Sequence, residues 1–467
     1  MLRIAVIGSG ASALAAIEGA LSLDLDIQID VFDPWNEIPS HGEDWEKKSP
    51  TQMAKKSRFG SLAMYEYPSK VIEYENSLHI PLSGTVGGLT SVWGANSTYP
   101  EHDQIMVYTK QHTEESIKWV SAYAHITDLG KISDPGNFFV SNRFRNLLFT
   151  HQQKNGIEIK PATLSLIEQK CTKIGGCLSG CQENAIFSAD QQIHSLIRKE
   201  NITLIKALVL RINPVENSKF SLELEGDLNY ETLNVKYDKI LVTCGAIASC
   251  ALLQRSDLIS TNVRLKDTQV FYSAFFMRQS RIVSPVTFEL AQIFIRKSKV
   301  IHVSMYEYSS QFVHRAKLII GPLVKIIPRG FWNHIVAGIG FIDSSESGFL
   351  NLEYRNKVTY VTQKPNSISK VVIRQKMALV RRSLKGLRIF HIPFLAQIPN
   401  VGASYHVGAA NIDGSSAFTP AGKLVNRSHL EIYVLDSAAL HELPVGPITT
   451  TVMAAAYGRT RLALSDD

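Results

Sequence analysis

Residues 2–13 of the chain read Leu2-Arg3-Ile4-Ala5-Val6-Ile7-Gly8-Ser9-Gly10-Ala11-Ser12-Ala13. The first six form a short apolar run, which is typical of a buried parallel strand. Leu14 to Leu23 has the spacing of a helix, and Ile27 to Phe32 returns as a second strand that ends in Asp33. This order predicts a strand–turn–helix–strand unit with the G-x-G-x-x-A pattern of dinucleotide binding.

Each small residue of this turn has a physical role in the prediction. Gly8 permits the tight turn, Gly10 lets the backbone approach a pyrophosphate, and Ala13 lets helix and strand pack closely. The start of the helix offers free N–H groups and the positive end of its dipole to the phosphates. Asp33 stands where an acid can bind the ribose hydroxyls. The alternative is a glycine turn in an ordinary α/β domain. The predicted cofactor contacts here are Gly8, Ser9, Gly10, Ala11, Ser12 and Asp33.

Composition and charge narrow the class of protein. The chain has 467 residues, 45% hydrophobic and 19% charged, which is enough for two domains with a large core. Its net charge is +7, but the basic residues are scattered, and no basic face interleaved with aromatics predicts nucleic-acid binding. The chain opens directly on a strand and has no apolar run of about 18 residues. We therefore expect no signal peptide, no membrane contact and a cytoplasmic location.

The C-terminal part carries a more specific pattern. Tyr405-His406-Val407-Gly408 is followed by a strand that ends in Leu435-Asp436, and then by Gly446-Pro447-Ile448-Thr449. This resembles the closing signature of the glucose–methanol–choline (GMC) oxidoreductases, in which an H-x-x-G turn precedes an L-x-V-x-D strand and a Pro-x-x-T helix. The glycine after His406 comes one residue earlier than in that signature.

Three other stretches agree with the same family, in the family's order. Gly87-Gly88-Leu89-Thr90-Ser91 resembles its flavin-contacting G-G-x-[ST]-S segment, with expected contacts at Gly87, Gly88 and Thr90. The segment that begins at Gly245 is similar to its second signature, G-A-x-x-[ST]-x-x-L-L. Val209 stands where a valine backbone usually contacts adenine. The resemblance covers nearly the whole chain and is weakest in residues 267–399.

The resemblance implies an α/β fold in two domains. We expect residues 1–100, 191–266 and 401–467 to form a discontinuous FAD-binding domain with a Rossmann-like, mostly parallel sheet. Residues 101–190 and 267–400 are expected to form a substrate-binding cap on a largely antiparallel sheet. The β-rich pattern that begins at Asp267 independently favours this second unit.

The resemblance also implies a chemistry. A tightly bound FAD would accept hydride at N5 from the CH–OH group of a small alcohol, favoured as a sugar or polyol, and a further electron acceptor would reoxidise it. His406 matches the family's base, and imidazole, with a pKa near 6.5, suits that proton transfer. Asp436 is expected near the FAD pyrophosphate or ribityl chain, with a helix cap as the alternative. Backbone N–H groups from Thr449 onwards are expected at the flavin.

One position departs from the family pattern. The residue before Pro447 is usually Asn or His, but here it is Gly446, which has no side chain to share a proton. There are three alternatives: another residue such as His441 takes that role, His406 acts alone, or activity is lost. Two further classes therefore stay open. They are a flavin-dependent lyase or epimerase without net oxidation, and a degenerate, non-catalytic FAD-binding protein.

The cysteines give a second open choice. Cys171, Cys177 and Cys181 form C-x5-C-x3-C, a spacing similar to that of cluster-bearing sugar dehydrogenases in the family. It predicts either ligands of a [3Fe–4S] cluster or a packed thiol turn without metal. The spacing differs from the C-x2-C pairing of structural zinc. Five cysteines in a reducing compartment do not favour a disulfide framework.

Overall fold

The computed structural model describes a large part of the chain, from its first strand to its last helix. The described residues are 1–34, 64–65, 71–76, 78, 80, 82–83, 85–98, 121–122, 124–133, 140–150, 156–172, 177, 181, 183–198, 201–216, 218–226, 234–278, 290–307 and 321–465.

A five-stranded parallel sheet begins with the N-terminal strand. Its strands lie in the order Ile432–Val434, Lys239–Val242, Leu2–Ile7, Ile27–Asp33 and Ile202–Lys206. Most of their side chains are buried, as expected for a parallel sheet covered on both faces. The predicted strand–turn–helix–strand unit is confirmed. Its helix begins earlier than the predicted Leu14.

The helix that follows the first strand packs against the C-terminal helix. They span Ala11–Leu21 and Thr449–Ser465, and small residues line the contact. A Cβ at Gly19 would lie 2.7 Å from the carbonyl oxygen of Tyr457, so the backbones approach closely only because this residue is glycine. The C-terminal helix is thereby packed against the N-terminal strand–helix unit.

A six-stranded antiparallel sheet forms the opposite half of the molecule. Its strands lie in the order Ile389–Gln397, Val270–Met277, Ile335–Ile342, Ile301–Tyr306, Ala291–Lys297 and Glu158–Pro161. One face packs on the helices Asn142–Thr150 and Ser369–Ser383 in an apolar core. The largely antiparallel sheet predicted for this part of the chain is therefore confirmed.

A third sheet, also six-stranded, mixes strand directions. Its order is Ser415–Ser416, Val407–Ile412, Asn262–Asp267, Phe349–Arg355, Val358–Lys364 and Ile72–Tyr74. All its pairs are antiparallel except the last, between Val358–Lys364 and Ile72–Tyr74. It joins strands from both of the expected domains, and the domain boundaries stay a prediction.

The remaining elements are short. The other strands pair as Met64–Tyr65 with Leu82–Ser83, Ile132–Ser133 with Leu164–Ser165, and Leu208–Pro214 with Phe220–Glu225. The other α-helices are Ala189–Leu196, Ala246–Arg255 and Arg329–Trp332. Turns of 3₁₀-helix span Gly88–Val92, Glu168–Lys170, Gly321–Ile326, Val425–Arg427 and Ser437–Ala439. Across the described residues, no helix is long and apolar enough to cross a membrane.

A buried ion pair fastens a helix to the antiparallel sheet. Arg143 and Glu307 are 3% and 4% exposed, and the guanidinium Nε donates to the Glu307 carboxylate at 2.9 Å. Arg143 also donates to the carbonyl oxygen of Asn333 at 2.9 Å. Glu307→Ala would leave the guanidinium charge buried without its carboxylate, and we expect it to lower the free energy of unfolding by about 3–5 kcal/mol. Urea denaturation measures this change.

The exposed ion pair between Lys131 and Asp128, at 3.0 Å, provides the control. Asp128→Ala should lower the free energy of unfolding by less than about 1 kcal/mol, because water screens this pair. Equal losses in the two variants would contradict a special role for Arg143 and Glu307.

Candidate active site

A cavity of about 520 Å³ lies between the parallel sheet and the antiparallel sheet. This volume is within the range of ligand and cofactor sites, about 300–1,000 Å³. The N-terminal glycine turn lines one end, and the antiparallel sheet lines the other. Of the residues predicted from the sequence, the following line it: Gly8, Ser9, Gly10, Ala11, Ser12, Asp33, Gly88, Thr90, Val209, Gly245, His406, Asp436 and Thr449.

The first glycine turn is held by Asp33. Its carboxylate accepts hydrogen bonds from the backbone N–H of Ser9 at 3.0 Å and from the Ser9 hydroxyl at 2.6 Å. Gly8 has φ +107°, and a Cβ there would lie 2.8 Å from the Cα of Cys244. Glycine is therefore required both by the backbone conformation and by the neighbouring strand end.

The second glycine segment packs directly on the first. The N–H of Gly87 donates to the carbonyl oxygen of Ser9 at 2.9 Å, and a Cβ at Gly88 would lie 3.0 Å from the Cα of Gly10. Thr90 is buried, donating to the Gly87 carbonyl oxygen at 2.6 Å and accepting from the N–H of Ala189 at 3.0 Å. Thr90 thus fixes the turn. Gly87 supports the cavity wall without lining it.

Asp436 links three segments at the carboxyl end of the parallel sheet. One carboxylate oxygen accepts from the N–H of Gly245 at 3.0 Å and from the Ser249 hydroxyl. The other accepts from the N–H of Ala438 at 2.9 Å, which caps the short turn Ser437–Ala439. The side chain is 2% exposed, and burial raises the pKa of its carboxyl. The capping interaction considered from the sequence is therefore present, at a residue that also lines the cavity.

Val209 and Thr449 occupy two further walls. Val209 is buried in the strand Leu208–Pro214, next to an irregularity in its pairing. Thr449 begins the C-terminal helix, whose first N–H groups have no partner within the helix by its geometry. Both positions agree with the contacts expected from the sequence, and their contacts to a cofactor stay predictions.

His406 lies where the mixed sheet meets the antiparallel sheet. Its ring stacks on Phe341, with centroids 5.0 Å apart and planes 23° apart. Its Nδ1 is buried and has no hydrogen-bond partner among the described residues. Tyr405, directly before it, has φ +61°, a conformation uncommon for a residue with a side chain. Burial lowers the pKa of His406 to about 4, so the imidazole is neutral at physiological pH.

The early glycine of the H-x-G turn has a steric reason. A Cβ at Gly408 would lie 2.2 Å from the carbonyl oxygen of Ser437. The Ser437 hydroxyl in turn donates to the carbonyl oxygen of Val407 at 2.7 Å. Gly408 is therefore the residue that lets the strand after His406 pack on the turn after Asp436.

The structure also brings a residue to Gly446 that the sequence patterns missed. A Cβ at Gly446, which has φ +127°, would lie 3.0 Å from Cγ of His302. The His302 ring is 1% exposed, and its Nε2 lies 2.9 Å from the hydroxyl of Ser304. Burial lowers the pKa of His302 to about 3. Its ring stands 6.1 Å from Phe341, on which His406 stacks. The only local signal for His302 was a polar residue within a strongly apolar strand.

His441, the candidate considered for the role missing at Gly446, does not line the cavity. The structure therefore points away from a direct contact between His441 and a molecule bound in the cavity.

The cysteine segment does not support the iron–sulfur interpretation. Within the described residues, which include Cys171, Cys177 and Cys181, no group of three or more possible ligands is placed to hold a metal ion. The three thiols are partly buried and pack against an apolar cluster that includes Leu164. The Cys181 sulfur accepts from the N–H of Ala185 at 3.3 Å. These contacts favour the packed thiol turn.

The contact between Gly446 and His302 predicts the effect of restoring a side chain. Gly446→Ala should lower the free energy of unfolding by about 1–3 kcal/mol, because the backbone conformation is strained and the new Cβ meets the His302 ring. In a His302→Ala background the loss should be smaller, because only the conformational strain remains. Chemical denaturation of the four proteins measures both effects.

The matched control is Gly330→Ala, where an added Cβ meets nothing within 4 Å and φ is not positive. It should leave stability nearly unchanged. A Gly446→Ala cost that is the same with and without the His302 ring would show that the contact does not matter.

A comparison with solved structures agrees with this architecture. No protein-family model matches the chain, and no curated protein does. Among solved structures, the chain is similar to pyridoxine 4-oxidase from Mesorbium loti, with a TM-score of 0.65, 14% sequence identity and 99% of each chain covered. At this identity the likeness shows the fold. The two-part α/β fold implied by the resemblance to the GMC oxidoreductases is therefore confirmed, and the chain has the fold of pyridoxine 4-oxidase.

Proposed function

We propose that the chain is a FAD-dependent oxidoreductase that oxidises a CH–OH group, with His406 as the proton acceptor. The observation that carries the proposal is that His406 and the glycine turn at Gly8 line the same cavity. A nucleotide turn alone would fit many α/β proteins. The His406 imidazole, which lines the same cavity, adds a group suited to proton transfer.

The residues present fit a bound FAD. The first N–H groups of the helix Ala11–Leu21 have no partner within the helix and can bind phosphate oxygens. Gly10 and Gly88 lie beside them and have no side chains that would block a ligand. The described residues that line the cavity include no Lys or Arg, so these N–H groups and the helix dipole would carry the phosphate charge. Asp33 would accept from the ribose hydroxyls, and the start of the C-terminal helix would face the flavin carbonyls.

The chain's own chemistry rests on the state of His406. Because burial keeps its imidazole neutral, a ring nitrogen can accept the hydroxyl proton of an alcohol at neutral pH. Phe341 fixes the plane of the ring by stacking. When FAD is bound, it supplies the acceptor for the hydride that leaves the carbinol carbon as the C=O bond forms. The proposed partners are a small-molecule alcohol and a second acceptor that removes the electrons.

The structural neighbour is consistent with this proposal. Pyridoxine 4-oxidase is named for the oxidation of pyridoxine, and it shares the fold over 99% of both chains. The low identity leaves the substrate of the present chain to be read from its own residues.

The direct test of the proposed function is an absorbance spectrum followed by anaerobic mixing with a panel of alcohols. We expect a flavin spectrum in the purified protein and bleaching by at least one alcohol, with the matching aldehyde or ketone as product. A product formed with no electron acceptor and no lasting bleaching would instead identify an internal-redox lyase or epimerase. A flavin that no alcohol bleaches would favour a non-catalytic protein.

His406 can be tested without changing the nucleotide end of the cavity. His406→Ala should keep the flavin bound and slow its anaerobic reduction by about 10²–10⁴-fold, the usual contribution of a positioned base. His441→Ala is the control, because His441 does not line the cavity, and its reduction rate should match that of the unaltered protein. An unslowed His406→Ala protein would exclude the proposed role.

The pH dependence of flavin reduction gives an independent test. Because burial lowers the pKa of His406 to about 4, the ring should stay unprotonated down to that pH. The rate of anaerobic reduction should therefore be flat from pH 8 to about pH 5 and fall only as the pH approaches 4. An acid limb centred near 6.5, the ordinary pKa of histidine, would contradict the lowered pKa of His406.

A further inference from the structure

The face of the antiparallel sheet that lines the cavity carries two small side chains among larger ones. Ala274 and Ala337 are direct cross-strand partners, and so are Tyr272 and Ile339 one step along. Tyr306 is the partner of Ala337 on the other side. All five line the cavity. Two paired alanines between larger side chains leave a shallow depression, since neighbouring side chains on one face stand about 5 Å apart.

The walls of this depression are apolar. Trp332, Ile335 and Leu395 line the cavity and belong to one hydrophobic cluster, with Ala274 packed against it. Phe341 is on the same strand as Ala337, and its ring stacks on the His406 ring. A flat ring placed over the alanines would therefore rest among aromatic and aliphatic side chains in the same cavity as the imidazole.

Charge is confined to other parts of the cavity. Of the described residues that line it, only Asp33 and Asp436 carry carboxylates, and both are held by hydrogen bonds within the nucleotide-binding part. No Lys or Arg among them could pair with an acidic substrate. An unpaired ionic group in such a place loses its hydration without compensation, which is strongly unfavourable.

A polar atom beside Tyr306 lacks a hydrogen-bond partner among the described residues. Asn96 donates to the hydroxyl oxygen of Tyr306 at 2.5 Å, while its side-chain carbonyl oxygen is buried with no hydrogen-bond partner among the described residues. A buried unpaired acceptor is costly, and a bound donor would satisfy it. The alanines and the apolar walls at Ile335 and Leu395 offer no hydrogen-bond partners to the hydroxyls of a sugar, each of which needs one when it loses water.

We infer, on the basis of the proposed function, that the substrate is an uncharged alcohol on a flat, largely apolar ring. The ring occupies the depression at Ala274 and Ala337, and one further hydrogen-bonding group meets Asn96. This class differs from the sugar or polyol that the sequence resemblance favoured. The reaction balances as before: the O–H proton passes to His406, and the C–H hydride passes to the flavin.

The test uses the flavin-loaded protein and four probes that share the reacting group. They are benzyl alcohol, 3-hydroxybenzyl alcohol, 4-carboxybenzyl alcohol and glucose. Dissociation constants come from perturbation of the flavin spectrum, and rates come from anaerobic bleaching. The two neutral ring alcohols should bind at least about tenfold more tightly than the carboxylate and glucose, equivalent to 1.4 kcal/mol. Tighter binding and faster bleaching by glucose or the carboxylate would overturn the inference.

Filling the depression sharpens the test. Ala337→Leu should weaken binding of 3-hydroxybenzyl alcohol by about tenfold or more, because the ring loses its place, and should affect 1-propanol much less. Ala274→Val is the second variant if the first does not fold. The matched control is Val336→Ala, whose side chain lies in the core on the opposite face of the same strand. It should leave both dissociation constants unchanged, and equal effects in all variants would contradict the depression as the ring site.

Binding and oxidation are measured separately so that the two proposals fail separately. 3-Methylphenol has the ring and a hydrogen-bonding group but no carbinol, and it should perturb the flavin spectrum without bleaching it. If ring compounds bind in the expected order but no alcohol reduces a flavin that dithionite does reduce, the proposed oxidation is wrong and the ring site stands. If glucose reduces the flavin and ring alcohols neither bind nor react, the ring site is wrong and the oxidation stands.

Discussion

Backbone segments from three parts of the chain contact one another at glycines, and this close contact forms the nucleotide end of the cavity. The Ser9 carbonyl accepts from Gly87, Gly88 lies against Gly10, and Gly8 lies against the end of the strand at Cys244. A Cβ at any of the close positions would force the segments apart by several tenths of an ångström or more. Protein interiors are packed too densely to absorb such shifts without cost. The wall at the nucleotide end is therefore built from backbone, beside the first turn of the helix Ala11–Leu21, whose N–H groups have no partner within the helix.

Much of this end could be predicted because its signals are local. The strand Leu2–Ile7 contains no polar residue except Arg3, and a glycine turn follows it. The next strand ends at Asp33. These are patterns of neighbouring residues, whereas the order of the five strands required the structure. The antiparallel sheet was likewise predicted from its β-rich runs. The pairing of its strands, and so which face lines the cavity, required the structure.

The interactions that decide the chemistry are long-range and left little trace in the sequence. His302 lies 144 positions before Gly446, and no local pattern connects them. The family resemblance implied a cofactor contact for Asp436, whereas its hydrogen bonds to Gly245 and Ser249 depend on the packing of separate segments. The cysteine spacing was compatible with a metal cluster, but the thiols pack against apolar side chains. Spacing along the chain specifies neither orientation nor solvent access.

The contact between His302 and Gly446 also limits how such a site can change over generations. A side chain at 446 and the imidazole at 302 crowd one another, so one of them has to shift when both are present. The two positions are therefore expected to substitute in a fixed order, with a small residue at both as the intermediate. Because the glycine has φ +127°, the loop must also be reshaped before any return. A comparison of related chains should show the bulky states at the two positions excluding one another.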